Sequence, residues 1–101
     1  MSKSLVALVG TQYRPPEAAE LLKGLPNGEP LHLIREPTNK FDRNAVQVWA
    51  RGVHIGFIKG SENREIASRM DKARTDSGQI QTLNGKLAID GGKWPMVEID
   101  N

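Results

Sequence analysis

Two histidines, His32 and His54, and the loop aspartate Asp42 are the side chains of this sequence best placed to move a proton. Each histidine lies in an apolar, strand-like run. His32 falls between Leu31 and Leu33, and His54 stands beside Ile55, which predicts solvent-facing imidazoles rather than a catalytic pair. The sequence holds no Walker-type phosphate loop, no dinucleotide glycine fingerprint, no Gly-x-Ser-x-Gly elbow and no His-Glu-x-x-His. It contains no cysteine, which excludes a thiol nucleophile, a disulfide framework and a cysteine zinc site. A zinc ion would need carboxylates beside the two histidines. The expectation is a chain that is not an enzyme and carries neither structural metal nor cofactor.

A different chemistry is written in Arg35-Glu36-Pro37-Thr38-Asn39-Lys40-Phe41-Asp42-Arg43-Asn44-Ala45-Val46. Pro, Asn and Asp are what a connection between strands needs. Cations and an aromatic ring in the same few residues are not. Phe41 fits either of two readings: a plug packing the loop onto the core, or a stacking platform beside cations, as single-stranded nucleic acid requires. Asp42 and Asn44 are suited to accepting backbone N–H bonds that hold the loop. Gln12-Tyr13-Arg14 offers a second ring beside a cation, and Phe57 with Lys59 a third. Three segments that each pair a ring with a cation exceed what a core requires.

The elements that must position these residues are short. Leu5–Gly10 reads as a buried strand, Pro16–Lys23 as a helix with proline in its first turn, and Leu31–Arg35 as a strand stopped by Pro37. Ala45–Trp49 and Val53–Ile58 read as strands joined by a tight hairpin at Arg51-Gly52. Ser61 is placed to cap a helix reaching Lys72, with Ile66, Ala67 and Met70 on one face. From Gln79 to Asp100 apolar and polar residues alternate. A hairpin is expected at Asp90-Gly91-Gly92, with a bulge or kink at Asn84-Gly85. The architecture expected is mainly β, a small OB- or SH3-like barrel with two helices, α+β in content.

A length of 101 residues suits one domain, residues 1–101, able to bury a core without crosslinks. No apolar run approaches the ~20 residues that cross a bilayer. The start, Met1-Ser2-Lys3-Ser4, leads into too short an apolar stretch for a signal peptide. The expectation is a soluble, cytoplasmic chain with no membrane partner. The net charge of +2 is unevenly spread. Residues 35–72 hold 8 basic and 5 acidic side chains, an excess of +3, while the flanking segments come to 0 and −1. A middle third of that sign fits an anionic partner, and equally a solvated helix face.

Val9-Gly10-Thr11-Gln12-Tyr13, the Arg-Glu-Pro-x-Asn-x-Phe-Asp-x-Asn-Ala-Val block from Arg35, and His54-Ile55-Gly56-Phe57-Ile58 together resemble the HIRAN domain. The resemblance runs in order from Leu5 to Met70. It implies a small barrel, found fused to helicases that remodel stalled forks and as short stand-alone bacterial and phage proteins. It also implies recognition of the 3′-hydroxyl end of single-stranded DNA. On that likeness Tyr13 packs on the terminal nucleotide and Asp42 accepts from the 3′-hydroxyl. Asn39 meets a phosphate or sugar, Phe41 lies against the terminal base or shapes the pocket wall, Phe57 lines the pocket, and Lys59 faces a phosphate. Gln12-Tyr13-Arg14 stands where DNA-end-binding relatives carry Arg-Tyr-Tyr, so Arg14 is the cation left to serve there. Arg35 and Glu36 read as framework. The partners implied are single-stranded DNA and a helicase or other DNA-processing protein. The competing reading is an SH3-like module binding a peptide in the same groove, without preference for DNA ends.

Overall fold

The computed structural model describes residues 3–73, 78–79, 82–89 and 94–100. Six antiparallel strands close into a barrel in the order β1-β4-β3-β2-β5-β6. They are β1 (Lys3–Val9), β2 (Pro30–Arg35), β3 (Val46–Ala50), β4 (Val53–Ile58), β5 (Leu83–Ala88) and β6 (Met96–Asp100). Helix α1 (Pro16–Gly24) follows a 3-10 turn at Thr11–Tyr13, and α2 (Arg64–Lys72) follows β4. β-branched and leucine side chains at alternate positions make most of the interior: Val6 and Leu8, Leu31 and Leu33, Val46 and Val48, Val97 and Ile99; β4 adds Ile55 and Ile58, three residues apart. α1 adds Ala18, and α2 adds Ile66, Ala67 and Met70 to the same cluster. Closure pairs every strand with two neighbours, which limits the edge open to pairing with other chains.

The expected mainly β barrel with two helices is the fold found, and its details differ in four places. Ser61 does not cap α2; the helix starts at Arg64 with Asn63 in the cap position. Glu62 N–H bonds back to Lys59 O (2.9 Å), so a turn occupies the residues before it. Asn84-Gly85 makes no kink. Both residues pair regularly with β2, and a Cβ at Gly85 would lie 2.9 Å from Glu98 O on β6. Glycine there serves a close approach rather than a turn. His54 is not solvent-facing but 8% exposed, because the register shift between Val48 and Trp49 turns Trp49 over it. Ala45 lies just outside β3, in the loop, where its N–H bonds to Asp42 O.

The Arg51-Gly52 hairpin is present, with φ of 50° and 78° as a two-residue primed turn requires. The Asp90-Gly91-Gly92 turn lies outside the described residues, although β5 and β6 pair antiparallel on either side of it. Among the described residues, no helix is long and apolar enough to cross a membrane.

Candidate nucleic-acid interface

The four strands β1, β4, β3 and β2 lie side by side, and one line of cross-strand neighbours runs across their outer face. Val9 pairs with Phe57, Phe57 with Gln47, and Gln47 with Ile34. A second line places Trp49 between His32 and His54. Trp49 stacks on His54 with ring centroids 5.4 Å apart, and His54 meets the edge of Phe57 at 4.9 Å. Offset and edge-on pairs of this kind add ~0.5–1.5 kcal/mol beyond area burial. The outer face is thus an aromatic platform braced from beneath, with Phe57 half-buried in it.

Gly56 lets β1 cross this platform closely. A Cβ there would sit 2.6 Å from Val9 O and 2.9 Å from Leu8 Cδ1. The chain leaves β1 through Gly10, at φ 81°, directly into the 3-10 turn that carries Tyr13. Tyr13 is 84% exposed. Arg14 folds back instead, its Nε donating to His54 O (3.3 Å). Burial, and then the Arg14 charge, push the His54 imidazole below its ordinary value of 6.5. Its Nε2 donates to Gly56 O (2.9 Å), which fixes the neutral ring in one tautomer.

The 36–44 loop is held by an unbroken chain of side-chain bonds. Trp49 Nε1 donates to Gln47 Oε1 (2.8 Å), Gln47 Nε2 donates to Glu36 Oε1, and Asn39 Nδ2 donates to Glu36 Oε2. Asn39 Oδ1 then accepts the backbone N–H of Phe41 (2.9 Å) and of Asp42 (3.0 Å). Asp42 Oδ1 accepts from Asn44 N–H (2.9 Å), and its Oδ2 accepts from Asn63 Nδ2 (2.7 Å). The bond from Gln47, with that from Asn39 and the nearby Arg14 charge, holds the Glu36 carboxyl below its ordinary value against burial. Arg35 fastens the other flank, donating from Nε and Nη2 to Asp71 (2.9 and 3.2 Å) and from Nη1 to Ala45 O (2.8 Å).

On this rigid loop Phe41 is 97% exposed, so it does not pack the loop onto the core. Lys40 and Arg43 of the same loop are exposed as well. Asp42 is half-buried, and Gly60 lies against it, a Cβ there falling 3.5 Å from Oδ2. The adjacent Lys59 is exposed. It lines a groove with Ala7, Leu8, Val9 and Trp94, and the groove continues past Gly10, Thr11 and Gln12 to Ala19 and Leu22 of α1. Arg14, Asn39 and Phe57 therefore meet around His54 and Glu36, while Asp42 lies by Gly60, next to Lys59. No ring contact or hydrogen bond joins Tyr13 to Asp42 among the described residues.

Sequence reasoning missed four contributors. Trp94 is 73% exposed at the groove, on a segment read only as strand. Trp49 and Gln47 were placed on a strand without a role. Asn63 was passed over as helix. For Trp94 a signal existed, since Pro95 beside it and Gly91-Gly92 just before it are turn formers that argue against a strand interior. The others become visible only through their partners. Among the described residues, no group of three or more His, Asp or Glu is placed to hold a metal ion.

A family model for the HIRAN domain matches residues 2–86. Among solved structures, a protein from Lactobacillus plantarum is 28% identical, with TM-score 0.68 over 97% of this chain and 93% of that one. The HIRAN domain of human HLTF is 20% identical, with TM-score 0.67 over 99% of this chain and 78% of that one, a likeness of fold. None of the curated proteins matches. HIRAN domains are non-catalytic modules that bind nucleic acid. With the Arg35–Val46 block folded as one braced loop on a closed barrel, and the family pattern running through it, this chain belongs to the HIRAN domain family.

Proposed function

We propose that the chain binds single-stranded DNA and recognises a free 3′-hydroxyl end, in cytoplasmic DNA repair or replication-fork processing, beside a helicase or another DNA-processing protein. The observation that carries this reading is Phe41: a ring 97% exposed, next to the exposed cation Lys40, on a loop whose backbone is bonded at Phe41, Asp42 and Asn44. Holding an apolar ring in water on a rigid support is unfavourable for folding and suited to stacking a base. Tyr13 and Trp94 supply further rings, Arg14 and Lys59 the cations, and Asn39 and Phe57 the wall.

Asp42 gives the end preference. A carboxylate offers about four lone-pair sites, and two are engaged by Asn44 and Asn63, so acceptor capacity remains. A terminal hydroxyl donates to it and a following phosphate is repelled by it. A bond to a charged acceptor is worth ~1.5–3 kcal/mol, roughly one to two decades between free and blocked ends.

The test is a titration of the unaltered protein with one short oligonucleotide carrying a free, a phosphorylated or an absent 3′-hydroxyl. Tightest binding to the free end supports the reading; equal binding to all three overturns it. The apolar lining of the Leu8–Trp94 groove favours a peptide instead. Peptide binding there is nearly insensitive to salt, whereas phosphate binding weakens steeply as salt rises.

A further inference from the structure

The 36–44 loop has a second side. Arg43 and Asn44, immediately after Asp42, face a depression completed by Arg64, Ser68, Asp71 and Lys72 of α2. A second depression, lined by Arg64, Glu65, Ser68, Arg69 and Lys72, adjoins it along the helix. Arg64, Ser68 and Lys72 recur at four-residue spacing, so they share one helix face and span about 12 Å at 1.5 Å per residue. Arg43, Arg64 and Lys72 are exposed and make no ion pair among the described residues. Among the described residues of the two linings the acids are Asp71, which is paired with Arg35, and Glu65, which stands against Arg43, Arg64 and Lys72. Asn63 ties this helix to Asp42, so the basic face and the candidate end pocket are parts of one support.

The two sides differ in one respect that identifies their ligands. Tyr13, Phe41 and Trp94 are exposed rings, and none of them lines either depression. Among the described residues the α2 face carries cations, a hydroxyl, an amide and the carboxylates of Glu65 and Asp71, but no ring. Surfaces for single strands combine cations with aromatic platforms because the bases are splayed and need partners. A duplex presents phosphates outside and keeps its bases stacked within, so cations and hydroxyl groups suffice. We propose that the α2 face docks the phosphate backbone of a duplex, so that this domain recognises a single-stranded 3′ tail together with the double-stranded DNA it extends from. The proposal deepens the nucleic-acid reading above and rests on it.

The experiment measures anisotropy with three probes: a short single strand with a free 3′ end, a hairpin duplex carrying that strand as its 3′ tail, and the same tailed duplex with a 3′-phosphate. The unaltered protein should bind the tailed duplex more tightly than the tail alone, with a salt slope steeper by ~0.9 for each phosphate contacted. The double substitution Arg64→Ala and Lys72→Ala should remove that gain and reduce the slope by about 2. Affinity for the short strand should stay unchanged. Both side chains are exposed and make no ion pair among the described residues, so the variant should fold, which a thermal melt checks. No gain from the duplex, or an equal loss on the short strand and the tailed duplex, overturns the proposal. A gain reproduced by an acidic peptide in place of the duplex also overturns it and assigns the face to a protein. Loss of the free-end preference alone, with the duplex gain intact, counts against the end pocket and leaves this inference standing.

Discussion

Asn63, 1% exposed at the start of α2, donates its side-chain amide to Asp42 Oδ2 at 2.7 Å, joining the helix to the loop that holds Phe41. Its own backbone O already accepts Ala67 N–H (2.8 Å), as the residue before a helix does. A buried amide bonded to a carboxylate belongs to the stronger class of hydrogen bond, ~1.5–3 kcal/mol. Asn63→Ala should therefore lower stability by about that amount and speed amide exchange at Phe41, Asp42 and Asn44. Asp42→Asn should do similar damage, since both carboxylate oxygens face donors and one would be met by an amide NH2. Denaturant melts and hydrogen exchange check both. Unchanged stability in the two variants would mean that the Asn63–Asp42 bond does not hold the loop.

Gly56 and Gly60 make a paired prediction. A methyl group at Gly56 meets backbone, Val9 O at 2.6 Å, and cannot be relieved by a side-chain rotation. At Gly60 it meets only the Asp42 carboxylate at 3.5 Å, an ordinary contact. Gly56→Ala should cost ~1–3 kcal/mol, as overpacking does, and displace the turn bearing Tyr13. Gly60→Ala should fold nearly as well as the parent. Equal melting of the two variants would refute the close crossing.

Acid should weaken the fold in two windows, both of the same sign. His54 has a folded pKa below its ordinary 6.5, so the unfolded chain binds the proton more readily. Its contribution is complete above pH 6.5 and is lost as pH falls from there through the depressed value. Glu36 is also lowered, from 4.5, so its contribution holds above that pH and is lost as pH falls through its own depressed value. Urea midpoints should fall from neutral pH through both windows, and His54→Leu should remove the upper one. A parent midpoint flat down to pH 5 would contradict the burial of a neutral His54.

The barrel was legible because its signal is local. Alternation marks Leu31 and Leu33 or Val97 and Ile99 as inward, and Arg51-Gly52 announces its own turn. His54 was misread because alternation assumes a regular strand, and the shift at Val48/Trp49 on the neighbouring strand is not encoded beside it. Asn84-Gly85 was misread because a turn former and a close-approach glycine look alike until β2 and β6 are both in place. Phe41 stood equally between plug and platform, and only its exposure separates the two. Glu36, read as framework, takes Gln47 and Asn39 at once, a junction that no single segment contains.

Removing the rings one at a time separates folding from recognition. Tyr13, Phe41 and Trp94 are mostly exposed, so truncating any of them to alanine should change stability by no more than ~0.5 kcal/mol. Phe57 is half-buried against His54, and Phe57→Ala should destabilise the barrel before any ligand is added. If the exposed rings stack bases, each loss should weaken single-stranded DNA binding by ~1–3 kcal/mol, roughly one to two decades. The effect should be similar across sequences, since every base has a face to stack. A peptide ligand would lean instead on the apolar groove, where Trp94 lies and Phe41 does not. Phe41→Ala is therefore the most discriminating variant. A large loss of DNA affinity with an unchanged melt places the strand on the 36–44 loop. Full retention of DNA binding in Phe41→Ala and Tyr13→Ala together would remove the stacking platform from the account, leaving a surface that binds phosphates by charge alone.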